Sequence, residues 1–236
     1  MTDRDVFDSA RRALSTPHER NSSLCDPFLD VLPITGAAVS VLAGPVGQST
    51  ICSSNSIAAR LDEIQFDLGE GPCWQALATR RPVLANDFAG AEHPAWPMFA
   101  QAVRDDSVRE DIGAVYAFPL TVGALEIGAV DLYALHPRRL TSEEVSDASA
   151  LAEVASWQVL RQILADQESG IDTRTDRTSR REVHQATGMV LVQLNISADD
   201  AALLLRAHAF SSGRSVLEIA NDVVERRLSF IAEEQS

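Results

Sequence analysis

Between Arg180 and Phe230 the chain writes three short amphipathic helices with almost nothing joining them, and connections that short leave a compact helical bundle as the available fold. Val183, Thr187, Val190, Leu191 and Leu194 fall on one helical face, which predicts a helix from Ser179 to Leu194 that ends at Asn195. Ser197 is placed to cap a second helix, Asp199 and Asp200 sit in its positive first turn, and Ala201, Leu204, Leu205 and His208 form its inner stripe. Gly213 closes that helix, and Ser215 with Glu218 makes a capping box for a third, whose buried face is Val216, Ile219, Ala220, Val223, Val224 and Leu228. So small a bundle buries little apolar surface, and a neighbour or a dimer partner is expected.

Gly188 departs from this pattern, because a mid-helix glycine costs ~1 kcal/mol relative to alanine. Two explanations stand: tight helix packing inside the bundle, or a flat surface that a ligand such as nucleic acid approaches closely. Arg180, His184 and Gly188 form one i, i+4 strip beside the apolar face, and that strip can meet phosphate.

The run from Arg180 to Val190 with its Ala186-Thr187-Gly188 element, the run Ser197 to Ala201, the Leu205-Arg206-Ala207-His208-Ala209 element and the last helix from Ile219 to Val224 together resemble the ANTAR domain. The resemblance implies an RNA-binding output module whose dimer binds paired stem-loops in a nascent transcript and antagonises termination. On the matching positions it implies phosphate contacts from Arg180, Arg181 and Arg206, close approach at Ala186, Thr187 and Gly188, and base-edge contacts from His184 and Gln185, with Arg214 as a further cation. Many members carry lysine where this chain has Thr187, which implies either a weaker RNA affinity or more of the phosphate contact from Arg180, Arg181, Arg206 and Arg214. Two other readings of the helices remain: a protein-interaction module working through a helical face, and a DNA-binding factor imitating a helix-turn-helix.

Charge neither demands nor forbids nucleic acid. The chain carries −14, yet residues 1–170 hold 24 acids against 12 arginines while residues 171–236 hold 10 against 8, so the acidity belongs to the first part. Arg174, Arg177, Arg180 and Arg181 face only Asp176 locally, as a solvated linker or as an RNA-facing cluster. Every basic residue other than histidine is arginine, the planar donor suited to phosphate and base edges, though a usage so uniform is first of all a mark of genome composition.

The preceding residues read as a mixed α and β domain. Strands are expected at Val39 to Leu42 and Ser49 to Ser53 around a turn with Gly44, Pro45 and Gly47, then helices at Ile57 to Ile64 and Trp74 to Thr79, a strand at Pro82 to Ala85 and a loop from Asn86. Ile112 to Leu120 and Leu125 to Leu132 make an antiparallel pair turning near Gly123. This order, with Phe118-Pro119-Leu120 on one late strand, Gly128-Ala129-Val130 on the next, Gly69 to Cys73, and the loop from Asn86 through Pro97, resembles a GAF domain, which implies an antiparallel sheet between helices and, in many members, a small-molecule ligand. No cofactor is assigned: Asn86 is followed by Asp87 where a nucleotide-binding motif has lysine, Cys73 by Trp74 where a bilin site has histidine, and His93 beside Pro94 reads as a surface residue before it reads as a haem ligand. Trp74, Phe88, Trp96 and Tyr116 either line a small apolar pocket or are core, the commoner use of such residues.

Cys25, Cys52 and Cys73 have neither the spacing of a zinc site nor an even count, and are expected to be reduced, buried thiols; Cys73, near a helix N-terminus, is also a candidate redox sensor. From Thr141 or Ser142 a long helix carries Val145, Ala148, Leu151, Ala152, Ala155, Val159, Ile163 and Leu164 to about Gln167, with Gly170 as its stop, suited both to cover the sheet and to pair with a second copy. Val6, Ala10, Ala13 and Leu14 give the N-terminal residues a thin stripe. The expected layout is therefore an α+β protein: an N-terminal helix over 1–23, a GAF-like sensor over 24–168, a linker over 169–178, a three-helix ANTAR domain over 179–231 and an acidic tail over 232–236. No signal peptide, transmembrane run, metal cluster or catalytic motif is legible, so a cytoplasmic, dimeric, non-enzymatic regulator is expected.

Overall fold

The computed structural model describes residues 3–15, 23–42, 48–106, 108, 112–169, 178–212, 214 and 216–230. The chain divides into two compact units, Met1–Asp172 and Thr173–Ser236.

In the first unit, five strands form one antiparallel sheet in the order β2-β1-β5-β4-β3, with β1 at Gly36–Val41, β2 at Ser49–Ser53, β3 at Val83–Ala85, β4 at Ala114–Val122 and β5 at Leu125–Ala134. Strand residues alternate between two helical layers because successive side chains leave a strand on opposite faces. On one face Val39, Val41, Tyr116, Phe118, Val130 and Leu132 pack with α1 (Asp3–Ser15), α2 (Asp26–Val31) and α6 (Ser142–Ser169). On the other, Ala38, Val115 and Tyr133 pack with α3 (Ser56–Leu68) and α5 (Pro97–Asp105), while Ala129 meets α4 (Pro72–Thr79) through Cys73 and Leu77. The hairpin joining β4 and β5 turns at Gly123, whose φ of 59° is the left-handed conformation glycine tolerates best.

Several expectations change. The N-terminal helix is anchored by Phe7, Ala10 and Leu14, all buried, whereas Ala13 is exposed and Val6 only half-buried. The loop expected from Asn86 is present and runs to Trp96, but it is followed by a helix that was not expected, α5, which starts at Pro97, where the missing N–H costs nothing, and buries Phe99, Ala100 and Val103. Helix α6 starts as expected: the Thr141 backbone N–H donates to Glu144 Oε2 at 2.7 Å and the Glu144 N–H to Thr141 Oγ1 at 3.1 Å, a reciprocal capping box. Its stripe ends at Ile163, since Leu164 is half-exposed. The turn residues Gly44, Pro45 and Gly47 and the stop at Gly170 lie outside the described residues.

Two of the cysteines are not reduced thiols. Cys25, at the N-cap of α2, is disulfide-bonded to Cys52 on edge strand β2, with Cα atoms 6.3 Å apart and a sequence separation of 27. Pairing across that separation comes from the strand order, which no local spacing announces.

The second unit is a three-helix bundle of α7 (Thr178–Leu194), α8 (Ala198–Ser212) and α9 (Val216–Val224) around Ala186, Val190, Ala201, Leu205, Ala209, Val216, Ile219, Ala220 and Val223. Asn195, at a φ of 52°, ends α7. Ser197 Oγ accepts the Asp200 N–H at 3.1 Å and donates to Asp200 Oδ2 at 2.7 Å, so the second helix is capped where expected. On α8 the core side is Ala201, Leu205 and Ala209; Leu204 is exposed and His208 half-buried, because the stripe follows i, i+4, i+8. Gly213 and Ser215 lie outside the described residues.

Candidate functional site

On the second unit, one face of α7 and the turn after α9 enclose an open groove of about 570 Å³ lined by Gln185, Gly188, Met189, Val192, Gln193, Arg226, Leu228 and Ser229. The turn is held there by the Phe230 N–H, which donates to Gln193 Oε1 at 3.3 Å, and by an edge-on contact of Phe230 with His208, ring centroids 5.5 Å apart. Met189 and Leu228 give the groove an apolar floor that belongs to the margin of the bundle core. Gly188 is exposed, and a Cβ added there would meet nothing within 4 Å, so the glycine leaves open space and does not serve packing inside the bundle.

The sequence-selected residues divide around this groove. Gln185 and Gly188 line it. Thr187 is half-buried and its hydroxyl donates to Val183 O at 2.7 Å, within its own helix. Ala186 is fully buried in the core and offers no surface to a ligand. Arg206 is half-buried on α8. Arg214 is engaged: its guanidinium meets Asp222 Oδ2 at 2.7 Å, while Arg227 Nε meets Oδ1 of the same carboxylate at 2.7 Å. Arg214 first and then Arg227 hold the Asp222 carboxyl below its ordinary range. Arg180, Arg181 and His184 belong to α7, and their side chains fall outside the described residues. Sequence reading missed Arg226 and Ser229, which follow the last helix; Arg226 makes a left-handed turn with a φ of 60°, and no glycine or asparagine in that run signals it.

In the first unit the four aromatic residues do not form one pocket. Phe88 and Trp96 are buried against Phe99, their rings 6.0 Å apart and nearly parallel, and His93 stacks on Trp96 at 4.3 Å and on Phe88 at 4.9 Å. Trp74 is half-buried and donates its Nε1–H to Gln65 O at 2.9 Å. Tyr116 lies across the sheet, since even-numbered residues of β4 face α6, and its hydroxyl donates to Arg138 O at 2.6 Å. Burial pushes Tyr116 up to about 12, against the lowering charge of Arg138. His93, expected at the surface, is half-buried in the ring stack, with Nε2 3.0 Å from Phe88 O.

A buried acidic pair was not foreseen. Asp62 on α3 is fully buried, with Oδ2 accepting the Ser40 hydroxyl at 2.7 Å and that of Thr50 as well. Asp131, in the middle of β5, is buried on the same side of the sheet, and burial, followed by the Asp62 charge, pushes its carboxyl well above the ordinary range. Cys73 is buried beside them, accepting no thiolate role: burial, then Asp131 and Asp62, push its thiol up. The Gly69 to Cys73 segment has another use, because Glu70 Oε1 accepts the Met98 N–H at 2.7 Å and the Phe99 N–H at 3.1 Å and so caps α5.

Among the described residues there is no cluster of three or more His, Cys, Asp or Glu able to hold a metal ion, and no helix is long and apolar enough to cross a membrane. Residues 24–156 match the GAF domain and residues 172–224 the ANTAR domain. Among solved structures, the GAF domain of an Acinetobacter phosphoenolpyruvate-protein phosphotransferase is similar at 12% identity and a TM-score of 0.52, over 68% of this chain and 95% of that one. The GAF domain of a phosphoenolpyruvate-protein phosphotransferase from Coxiella burnetii is similar at 13% identity and a TM-score of 0.52, over 71% and 96%. No curated protein matches the chain.

Proposed function

The chain belongs to the GAF domain family and carries an ANTAR domain behind the GAF fold, and we propose that it is a sensor-coupled regulator that binds paired stem-loops in nascent transcripts and antagonises termination. The observation that carries the reading is the ANTAR match combined with the open position of Gly188 in the groove of the second unit. A bare helical backbone there lets an RNA loop come closer than any side chain would permit, while Gln185 and Gln193 offer amide groups to base edges and Met189 and Leu228 an apolar floor. Arg180, Arg181, Arg206, Arg214 and Arg226 supply phosphate contact, Arg214 in competition with Asp222. Two stem-loops call for two such units, so the working species is a homodimer, and the GAF domain takes a small-molecule or chemical signal.

Binding of the full chain to a labelled tandem-hairpin RNA across a salt series tests this, with duplex DNA and a loop-scrambled RNA as controls. Salt-sensitive binding to the intact hairpins alone, abolished in Gly188→Arg, is the expected result; equal failure on every nucleic acid in both signal states removes the RNA reading. One observation favours a second reading: Leu203 on α8 is 61% exposed and Val192 on α7 76% exposed, apolar surface that would suit a protein partner.

A further inference from the structure

We infer that Cys25 and Cys52 form a reversible redox couple through which the first unit responds to hydroperoxides, with a dithiol as reductant. The inference rests on the RNA reading in one respect: a protein that meets nascent transcripts works in a reducing compartment, where disulfides are transient and redox-sensing.

The two sulfurs differ in access. Cys25 is fully buried among the residues joining α2 to the sheet, whereas Cys52 is half-buried on the edge strand. Oxidation therefore begins at Cys52. Its thiolate attacks a peroxide oxygen, the O–O bond breaks, and water or an alcohol leaves as the sulfenic acid forms. The Cys25 thiol then attacks the Cys52 sulfur, forming the S–S bond and expelling water; the peroxide is reduced by two electrons and the two sulfurs supply them. In reverse, one thiolate of a dithiol attacks Cys52 Sγ, the S–S electron pair leaves on Cys25 and is protonated, and the second thiol then attacks the reductant's own sulfur in the mixed disulfide, closing the reductant's disulfide and releasing Cys52 as a thiol. Cys73 does not compete, because it is fully buried and its thiol form is favoured.

The bond also sits where its loss is felt. Cys52 pairs with Val39 beside the irregularity between Val39 and Ser40 in the ladder joining β1 to β2, where the ladder hydrogen bonding is locally interrupted. The bond fastens this edge to α2, a six-residue helix whose N-cap is Cys25 and has no side-chain capping bond. Helix α2 packs against both α1 and α6, and α6 is the helix from which the chain runs on to the second unit. Reduction frees α2 and β2 from one another and loosens the layer that α6 belongs to.

The full chain is treated while folded with hydrogen peroxide or with dithiothreitol, the reagent is removed, and the chain is then denatured, alkylated and read by peptide mass spectrometry, with amide exchange of the folded chain measured in parallel. Cys25 and Cys52 are expected to be protected together after peroxide and labelled together after reduction, and exchange in α2 and β2 to quicken several-fold in the reduced chain. Cys52→Ser is expected to show the reduced exchange pattern under either treatment; should that variant not fold, the comparison of the two states of the unaltered chain decides alone. A bond that excess dithiothreitol leaves intact in the folded chain, that peroxide does not restore, or whose breakage leaves exchange unchanged overturns the inference. None of these readouts involves RNA, so loss of the RNA reading and loss of this one are told apart.

Discussion

Gly188 and Asp131 each set a local preference against the fold around them, and each gives a measurable consequence. With open space around its added Cβ, Gly188→Ala should raise the stability of the second unit by ~1 kcal/mol, the ordinary helix preference, while lowering RNA affinity; paired melting and binding curves check both. Asp131 has a folded pKa raised by burial and by Asp62, so the stability it contributes is complete below the unfolded carboxylate range and is lost as pH rises through the folded value. Asp131→Asn stays neutral throughout. The two proteins should therefore melt together at about pH 3, below the unfolded carboxylate value, and the variant higher at about pH 8; a variant melting lower at the higher pH would mean that Asp131 is charged and paired. Neither the acid pair nor the disulfide was legible in the sequence, because Asp62 and Asp131, like Cys25 and Cys52, are neighbours only through strand order and the packing of α3 and α2 on the sheet.

Elements whose start signals lie within a few residues were readable, and those finished from elsewhere were not. Thr141 with Glu144 and Ser197 with Asp200 cap α6 and α8 as their sequences suggest. Helix α5 escaped because its buried stripe is short and its cap comes from Glu70, on a distant loop. Glu70→Ala should cost ~1 kcal/mol and quicken amide exchange at Met98 and Phe99 before anywhere else in the first unit. On α6, Trp157 and Leu164 are each 50% exposed and lie seven residues apart, the repeat of a helix pair. Trp157→Glu should shift the proposed dimer toward monomer in sedimentation velocity while leaving the melting of the first unit within about 0.5 kcal/mol; an unchanged sedimentation coefficient would move the dimer contact away from this stripe.

Over the whole molecule, a mixed sheet-and-helix domain and a three-helix bundle were legible from periodicity, and their GAF and ANTAR assignments from motifs that resemble those families, while the lining of the groove was only half so. Helical spacing placed Gly188 with Arg180 and His184 beside the apolar stripe, and the family resemblance added Gln185; Gln185 and Gly188 line the groove, but spacing could not show that Ala186 turns inward or that the chain after α9 returns to line the groove with Arg226 and Ser229. The clamp of Arg214 and Arg227 on Asp222 bears on how binding would be counted. Residues 171–236 contain 8 arginines, but the clamp commits two of them to a carboxylate of their own. Each phosphate neutralised on a single strand releases condensed counterions and steepens the dependence of log affinity on log salt by about 0.7, or about 0.9 on a duplex. A slope matching all the arginines would mean that Asp222 surrenders its partners to the transcript, and the last turn of the bundle would then be remodelled by the RNA it holds.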